Sequence, residues 1–330
     1  MYIKYYGLKK KPFELTPNPE TVFMSDTHKE GLAILTYGIL SKKCFLMLTA
    51  DVGSGKTTLL QALVSSLGED VHLCLLNNPA LYRNEFFSFL AQKFGLHWDG
   101  NKASFLIEFA QFLKQCFNKG EKVLLIVDEA HVVPADLLEE IRLLSNLEEK
   151  GQDVLSIFLV GQPELNERLD EDRFLPLRQR IGIRFHLARF TPEETKQYIF
   201  FRLRAAGARH LNIFSEEAIA LVHRKSQGLP RLINIICDHA LLSGFSVESP
   251  VIGPELIKEA VEDLHIEKED PPPLPVVRLA QFDRLRFILF YCLIFVLVCA
   301  VLLLLEILPM SRNFSPLGLL LPESLLRYLH

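Results

Sequence analysis

The chain has no cysteine pair at C-x-x-C spacing. Its six cysteines, at positions 44, 74, 116, 237, 292 and 299, stand apart, most of them inside apolar runs. That pattern suits reduced core residues in a reducing compartment and excludes a disulfide framework. Net charge is also scarce. At −4 over 330 residues, it gives no footprint of nonspecific nucleic-acid binding and no acidic tail. A secretory leader is missing too, because residues 1–11 are aromatic and basic with no apolar core. No internal repeat runs along the chain, whose length gives room for two or three domains.

One long apolar run is present. Residues 287–305 read F-I-L-F-Y-C-L-I-F-V-L-V-C-A-V-L-L-L-L without a charge. At ~1.5 Å rise per residue they would cover roughly 30 Å, the thickness of bilayer hydrocarbon. Arg278, Arg284 and Arg286 precede the run; Glu306 and Arg312 follow it. The positive-inside rule then places the N-terminal body in the cytoplasm. The expected organisation has six parts. They are an N-terminal segment (1–40), an α/β domain (41–189), a helical domain (190–268), a Pro-rich juxtamembrane linker (269–285), a transmembrane helix (286–306) and a short periplasmic tail (307–330). The linker contains Asp270-Pro-Pro-Pro-Leu-Pro275, which favours an extended polyproline spacer over a ligand for a Pro-binding domain.

The strongest motif lies at 50–58, A-D-V-G-S-G-K-T-T, directly after the apolar run 44–48. It is a phosphate-binding P-loop with Ala50 where the first glycine usually stands. Ala50, Asp51, Val52, Gly53, Ser54, Gly55, Lys56, Thr57 and Thr58 are therefore the expected nucleotide-binding residues. Gly53 and Gly55 permit backbone angles closed to residues with a Cβ. The loop amides form a nest for phosphate oxygens, backed by a helix N-terminus. Lys56 supplies a point charge for the phosphates of ATP, and Thr57 a hydroxyl for Mg²⁺. A second motif, Val123-Leu-Leu-Ile-Val-Asp128-Glu129, ends a buried apolar run in two carboxylates. Asp128 is the expected second Mg²⁺ ligand and Glu129 the base that activates water. Ala130 and His131 extend this to the D-E-A-H string of helicases, but no second helicase core follows.

Short apolar runs at 44–48, 72–76, 123–127, 154–160 and, more weakly, 183–187 alternate with helical patterns at 27–40, 59–67, 84–94, 104–118, 135–147 and 164–180. That alternation predicts an α/β fold, a parallel sheet covered on both faces. After 189 the pattern is wholly helical, at 192–206, 216–226, 230–243 and 254–265. Thr191-Pro192-Glu193-Glu194 opens it as a cap, a first-turn proline and an N3 glutamate. Four more polar residues are candidates for catalysis. Gln162 follows the fourth strand and can reach the attacking water. Arg178 and Arg180 end the helix before the fifth strand, where either could act as an arginine finger on a neighbouring subunit. Arg231, just after Pro230 of the lid helix, is placed to sense the phosphates.

Together these features resemble the AAA+ ATPases. The N-terminal string Met1-Tyr-x-x-Tyr-Tyr6-Gly7-Leu8, Pro12-Phe13-x-Leu15-x-Pro17-x-Pro19, Ser25-x-x-His28 and Tyr37-Gly38-Ile39 is similar to the general secretion pathway protein A (ExeA-like) family. So are L-V-G-Q-P-E-L around Gln162 and G-L-P-R-L-I-N around Arg231. The resemblance covers residues 1–268 and extends to the single anchor. It implies a homo-oligomeric, ring-forming ATPase using ATP and Mg²⁺ at the bacterial inner membrane. It also implies an inner-membrane partner protein, a role in type II secretion through an outer-membrane secretin, and adenine packed near Pro12 and Phe13. The 25 residues after the apolar run, 306–330, are too few for the family's peptidoglycan-binding region. This argues against direct wall contact. Two other functions fit the same core: a DNA-associated AAA+ ATPase of the transposition-regulator type, and a low-turnover nucleotide-gated scaffold.

Overall fold

The computed structural model describes residues 1–15, 22–40, 45–77, 80–147 and 154–266. The expected linker, apolar span and tail lie outside the described residues, as do Cys44, Cys292 and Cys299. Among the described residues no helix is long and apolar enough to cross a membrane.

Helix α1 (Tyr2–Tyr5) and helix α2 (Asp26–Leu40) precede strand β1 (Phe45–Ala50), which leads to α3 (Lys56–Ser66). Then follow β2 (Val71–Leu76), α4 (Arg83–Phe94), α5 (Lys102–Lys119), β3 (Lys122–Val127) and α6 (Ala135–Leu144). Strand β4 (Leu155–Gly161), the short helices α7 (Glu164–Leu169) and α8 (Leu175–Arg178), and β5 (Ile181–Leu187) complete the α/β part. The five strands are parallel in the order β2-β3-β4-β1-β5. Strand β4 thus lies between β1 and β3, with Leu48 level with Val160 and Ile126 level with Phe158.

Continuous apolar runs form the central strands because both faces are covered. Met47, Val123, Leu125, Val127, Ile157 and Leu159 pack under α4, α5 and α6. Leu46, Leu48, Leu124, Ile126, Phe158 and Val160 pack under α2 and α3. Each large side chain fully buried there contributes about 1.5–3 kcal/mol. Strand β5 is different. It sits at the sheet edge with Gly182, Arg184 and His186 exposed, which is why its sequence signal was the weakest.

The helical part expected as a lid comprises α9 (Pro192–Ala205), α10 (Glu216–Ser226), α11 (Pro230–Ser246) and α12 (Pro254–Asp263). Its entry is a capping box: Thr191 Oγ1 accepts from the Glu194 amide and Glu194 accepts from the Thr191 amide. The N-terminal segment divides between the two parts. Helix α2 lies on the sheet, whereas Tyr2, Tyr6, Leu8 and Phe13 join the lid core with Ile199, Leu203, Ile219 and Ile233. The single helix expected over 164–180 is corrected. The segment breaks into α7, a 3-10 turn at Asp172–Phe174 and the one-turn α8. Pro176 explains the break: it cannot continue a helix from α7 but fits the first turn of α8. Arg178 therefore ends a single turn, and Arg180 follows it.

Candidate nucleotide site

The carboxyl ends of β1, β3 and β4 meet at one cavity of about 490 Å³, within the range of small-molecule sites. Val52, Gly53, Gly55, Lys56, Thr57 and Thr58 line one side, with Glu129 and Gln162 at the strand ends. The lid contributes Tyr198, Arg202, Pro230, Arg231 and Asn234, and the N-terminal segment Glu14 and Leu15.

The loop geometry follows from its glycines. Gly53 has φ +77° and Gly55 φ +108°, both in the left-handed region that disfavours a Cβ. That path turns the chain from β1 into α3 at Lys56. The Lys56 ammonium folds back and donates to the carbonyls of Ala50, at 2.9 Å, and Asp51, at 3.3 Å. A buried cation at a helix N-terminus, flanked by loop amides, is a site built for phosphate. Thr57 lies on the cavity wall, and Asp128 directly follows β3, near enough to Lys56 for their charges to interact. Burial raises the Asp128 carboxyl above the ordinary carboxylate range, while the Glu129 amide, which donates to it at 2.8 Å, acts the other way. A hydroxyl and a carboxylate in these places suit a Mg²⁺ ion accompanying a nucleotide.

Glu129 has φ +51°, a strained backbone for a residue with a side chain. Its carboxylate is held from two sides. Gln162 Nε2 donates to Oε2 at 3.4 Å, and His131 Nδ1 lies 3.3 Å from the same oxygen. His131 is anchored in turn, since its carbonyl accepts from Arg168 at 2.7 Å. In sequence His131 is only the end of a D-E-A-H string; the 3-10 turn after β3 brings it to Glu129.

The lid closes the other side. Pro230 opens α11, and the Arg231 amide donates to the Gly53 carbonyl at 3.2 Å. A Cβ on Gly53 would come within 2.7 Å of Arg231 Cβ, so the loop glycine also serves the lid contact. At the far end, Arg202 donates to the carbonyls of Pro12, at 2.6 Å, and Glu14, at 2.7 Å. Tyr198 donates to Asn234 Oδ1 at 2.9 Å. These three side chains were not legible in sequence, because nothing local marks a lid helix as a cavity wall. Phe13 is buried edge-on against Phe214, and Glu14 and Leu15, which directly follow the Pro12-Phe13 pair, line the cavity.

Arg178 and Arg180 are not brought to the cavity. Arg178 pairs with Asp170 at 2.9 Å, and Arg180 donates to Ser145 and Asn146 at the end of α6.

His28 supports the loop from below. Its ring bonds the Ser25 hydroxyl at 2.7 Å, and a Cβ on Gly55 would meet Nε2 at 2.6 Å. Burial lowers its imidazole from 6.5 to about 4, with the Glu194 charge and the Ser54 backbone opposing. Below about 6.5 the unfolded chain binds a proton that the native state refuses. Stability is therefore expected to fall as pH drops from 6.5 towards 4, by on the order of 3 kcal/mol. Melting curves across that window check this: His28→Gln should flatten the slope, and an unchanged slope would assign the loss to other groups.

Residues 39–169 match the AAA domain family. General secretion pathway protein A of Aeromonas hydrophila is 37% identical over 250 residues, covering 74% of this chain and 45% of that protein. Holliday junction branch migration complex subunit RuvB of Lawsonia intracellularis is 28% identical over 249 residues, covering 70% and 59%. The chain thus spans about half the length of these relatives. The ORC2 protein of Aeropyrum pernix, solved as ADPNP-ADP complexes, aligns with TM-score 0.56 at 17% identity over 78% of this chain and 72% of that one. That likeness is one of fold. With the loop and strand-end carboxylates arranged around one cavity, residues 39–169 form an AAA domain, and the chain is similar over 250 residues to general secretion pathway protein A.

Proposed function

We propose that the chain is an AAA+ ATPase that works at the bacterial inner membrane, anchored through residues 287–305, and that ATP hydrolysis drives assembly or energising of a type II-like secretin complex. The observation that carries this reading is the 37% identity to a secretion-pathway protein, together with an uncharged apolar run long enough to span lipid. Lys56 and the loop amides would hold the triphosphate. Thr57 and Asp128 would hold Mg²⁺, which neutralises charge on the phosphates. Glu129 takes the proton from the attacking water, which Gln162 positions. Arg231 couples the phosphate state to the lid, whose motion passes along the Pro-rich segment to a membrane partner.

In a homo-oligomeric ring, Arg178 or Arg180 would reach the next subunit's site after leaving its present partners, Asp170 or Ser145 and Asn146. Alanine at the finger position should lower turnover by about 10³-fold without changing a single subunit's affinity for ATP. Fractionation tests the anchor. The full-length chain should sediment with membranes and be released by detergent, and deletion of 287–305 should move it to the supernatant with ATP binding intact. Full-length protein in the soluble fraction would end the anchored reading.

The identity to RuvB favours a second reading, an ATPase that acts on DNA. Net charge of −4 weighs against it. A salt-sensitive shift of duplex DNA by the full chain would support it, and no shift at low salt would remove it.

A further inference from the structure

We infer that Arg189 is a positioning residue for ATP hydrolysis, tying the phosphate loop to the helical lid through Asp51 on one side and Gln227 on the other. Arg189 stands where the chain leaves β5 for the lid, two residues before the Thr191 cap. Its Nε donates to Asp51 Oδ2 at 2.6 Å, and its Nη1 donates to Gln227 Oε1. One planar guanidinium serves both, a geometry that lysine cannot copy.

The two partners belong to different parts of the fold, the phosphate loop and the end of α10. Asp51 is the second residue of the phosphate loop; its carbonyl accepts from Lys56 Nζ at 3.3 Å and from the Ser54 amide at 3.2 Å. A change in the Asp51 backbone therefore reaches the lysine that would grip the phosphates. Gln227 ends α10 with φ +50° and precedes Gly228, Pro230 and Arg231. A change there moves the first turn of α11. Two backbone bonds run parallel to the Arg189 link: the Phe190 amide to the Gly228 carbonyl at 3.0 Å, and the Arg231 amide to the Gly53 carbonyl at 3.2 Å. The Asp51–Arg189 pair is partly buried, with side chains 24% and 33% exposed, so water screens it less than a surface pair. Strut and backbone bonds together make lid angle and loop shape one variable.

The inference rests on the ATPase reading, which wild-type turnover in the same assay checks separately. The full-length chain in detergent is compared with Arg189→Gln, Asp51→Asn and the double variant. Each single change should lower kcat by roughly tenfold, the size of an ordinary coupling between sites. The KM for ATP should stay within about threefold, and the double variant should be no worse than either single one. Single variants within twofold of wild-type kcat, or losses that multiply in the double variant, would overturn the strut. Hydrogen exchange gives a readout that a merely structural pair would not move. A non-hydrolysable ATP analogue should protect residues 227–231 in the wild type and fail to do so in Arg189→Gln. Gln227→Ala keeps the Asp51 pair and serves if Arg189→Gln folds poorly. It should lose the same protection, and retained protection would contradict the proposal.

Discussion

Glu129→Gln is expected to lower ATP turnover by about 10²–10⁴-fold while leaving Mg²⁺-ATP affinity near the wild-type value. The carboxylate stands at the carboxyl end of β3, on a left-handed backbone that places it over the cavity. Gln162 and His131 hold it from two sides, so its orientation is set before substrate arrives. Glutamine keeps the size and one acceptor oxygen, which preserves those contacts, but it cannot accept the proton of the attacking water. Phosphate release and equilibrium binding of a fluorescent ATP analogue, measured on the same preparation, separate the two effects. A variant that turns over within a few-fold of wild type would transfer the base role to another group. Loss of binding together with turnover would make Glu129 a structural residue.

The second large effect concerns the joint between the two parts. Gly228 has φ +74°, and a Cβ there would stand 2.1 Å from the Phe190 carbonyl oxygen and 3.0 Å from the Phe190 nitrogen. Neither atom can yield easily, because the Phe190 amide donates to Gly228 itself and Phe190 packs into the lid core. Left-handed backbone costs a residue with a Cβ about 1–2 kcal/mol. Overpacking against main chain adds about 1–3 kcal/mol. Gly228→Ala should therefore lose about 3 kcal/mol of stability, seen as a melting transition lowered by roughly 5–10 °C. It should also weaken the ATPase, since the same turn carries Gln227 and leads into Arg231. An unchanged melting temperature would mean that the joint opens freely in solution and that lid position is set elsewhere.

The parts of this molecule that were legible in sequence are those with local causes. The P-loop glycines, the apolar β3 run ending in Asp128 and Glu129, and the Thr191 capping box each need only neighbouring residues to be recognised. The three inner strands, β1, β3 and β4, were readable because burial on both faces demands unbroken apolar runs. Strand β5, at the edge, alternates instead and gave a fainter signal. Within 164–180 the helical pattern runs on past Pro176, which bars one continuous helix and marks the start of α8.

Other features were out of reach because their causes are long-range. Tyr2 and Phe13 join the lid core from the opposite end of the chain. Asp51 meets Arg189 across 138 positions of sequence. Nothing in either neighbourhood marks the pair, and only the fold brings them together. His131 lay in plain view beside Glu129, yet its role depends on a three-residue turn whose direction the sequence did not reveal.

Everything said of catalysis depends on the loop at Lys56 holding a triphosphate. Calorimetric titration of Mg²⁺-ATP into the full-length chain and into its Lys56→Ala variant tests that dependence directly. Saturable binding by the wild type, weakened at least about tenfold by removal of the lysine charge, is the expected result. A wild-type chain that takes up no Mg²⁺-ATP, or a variant that binds it equally well, would contradict the account.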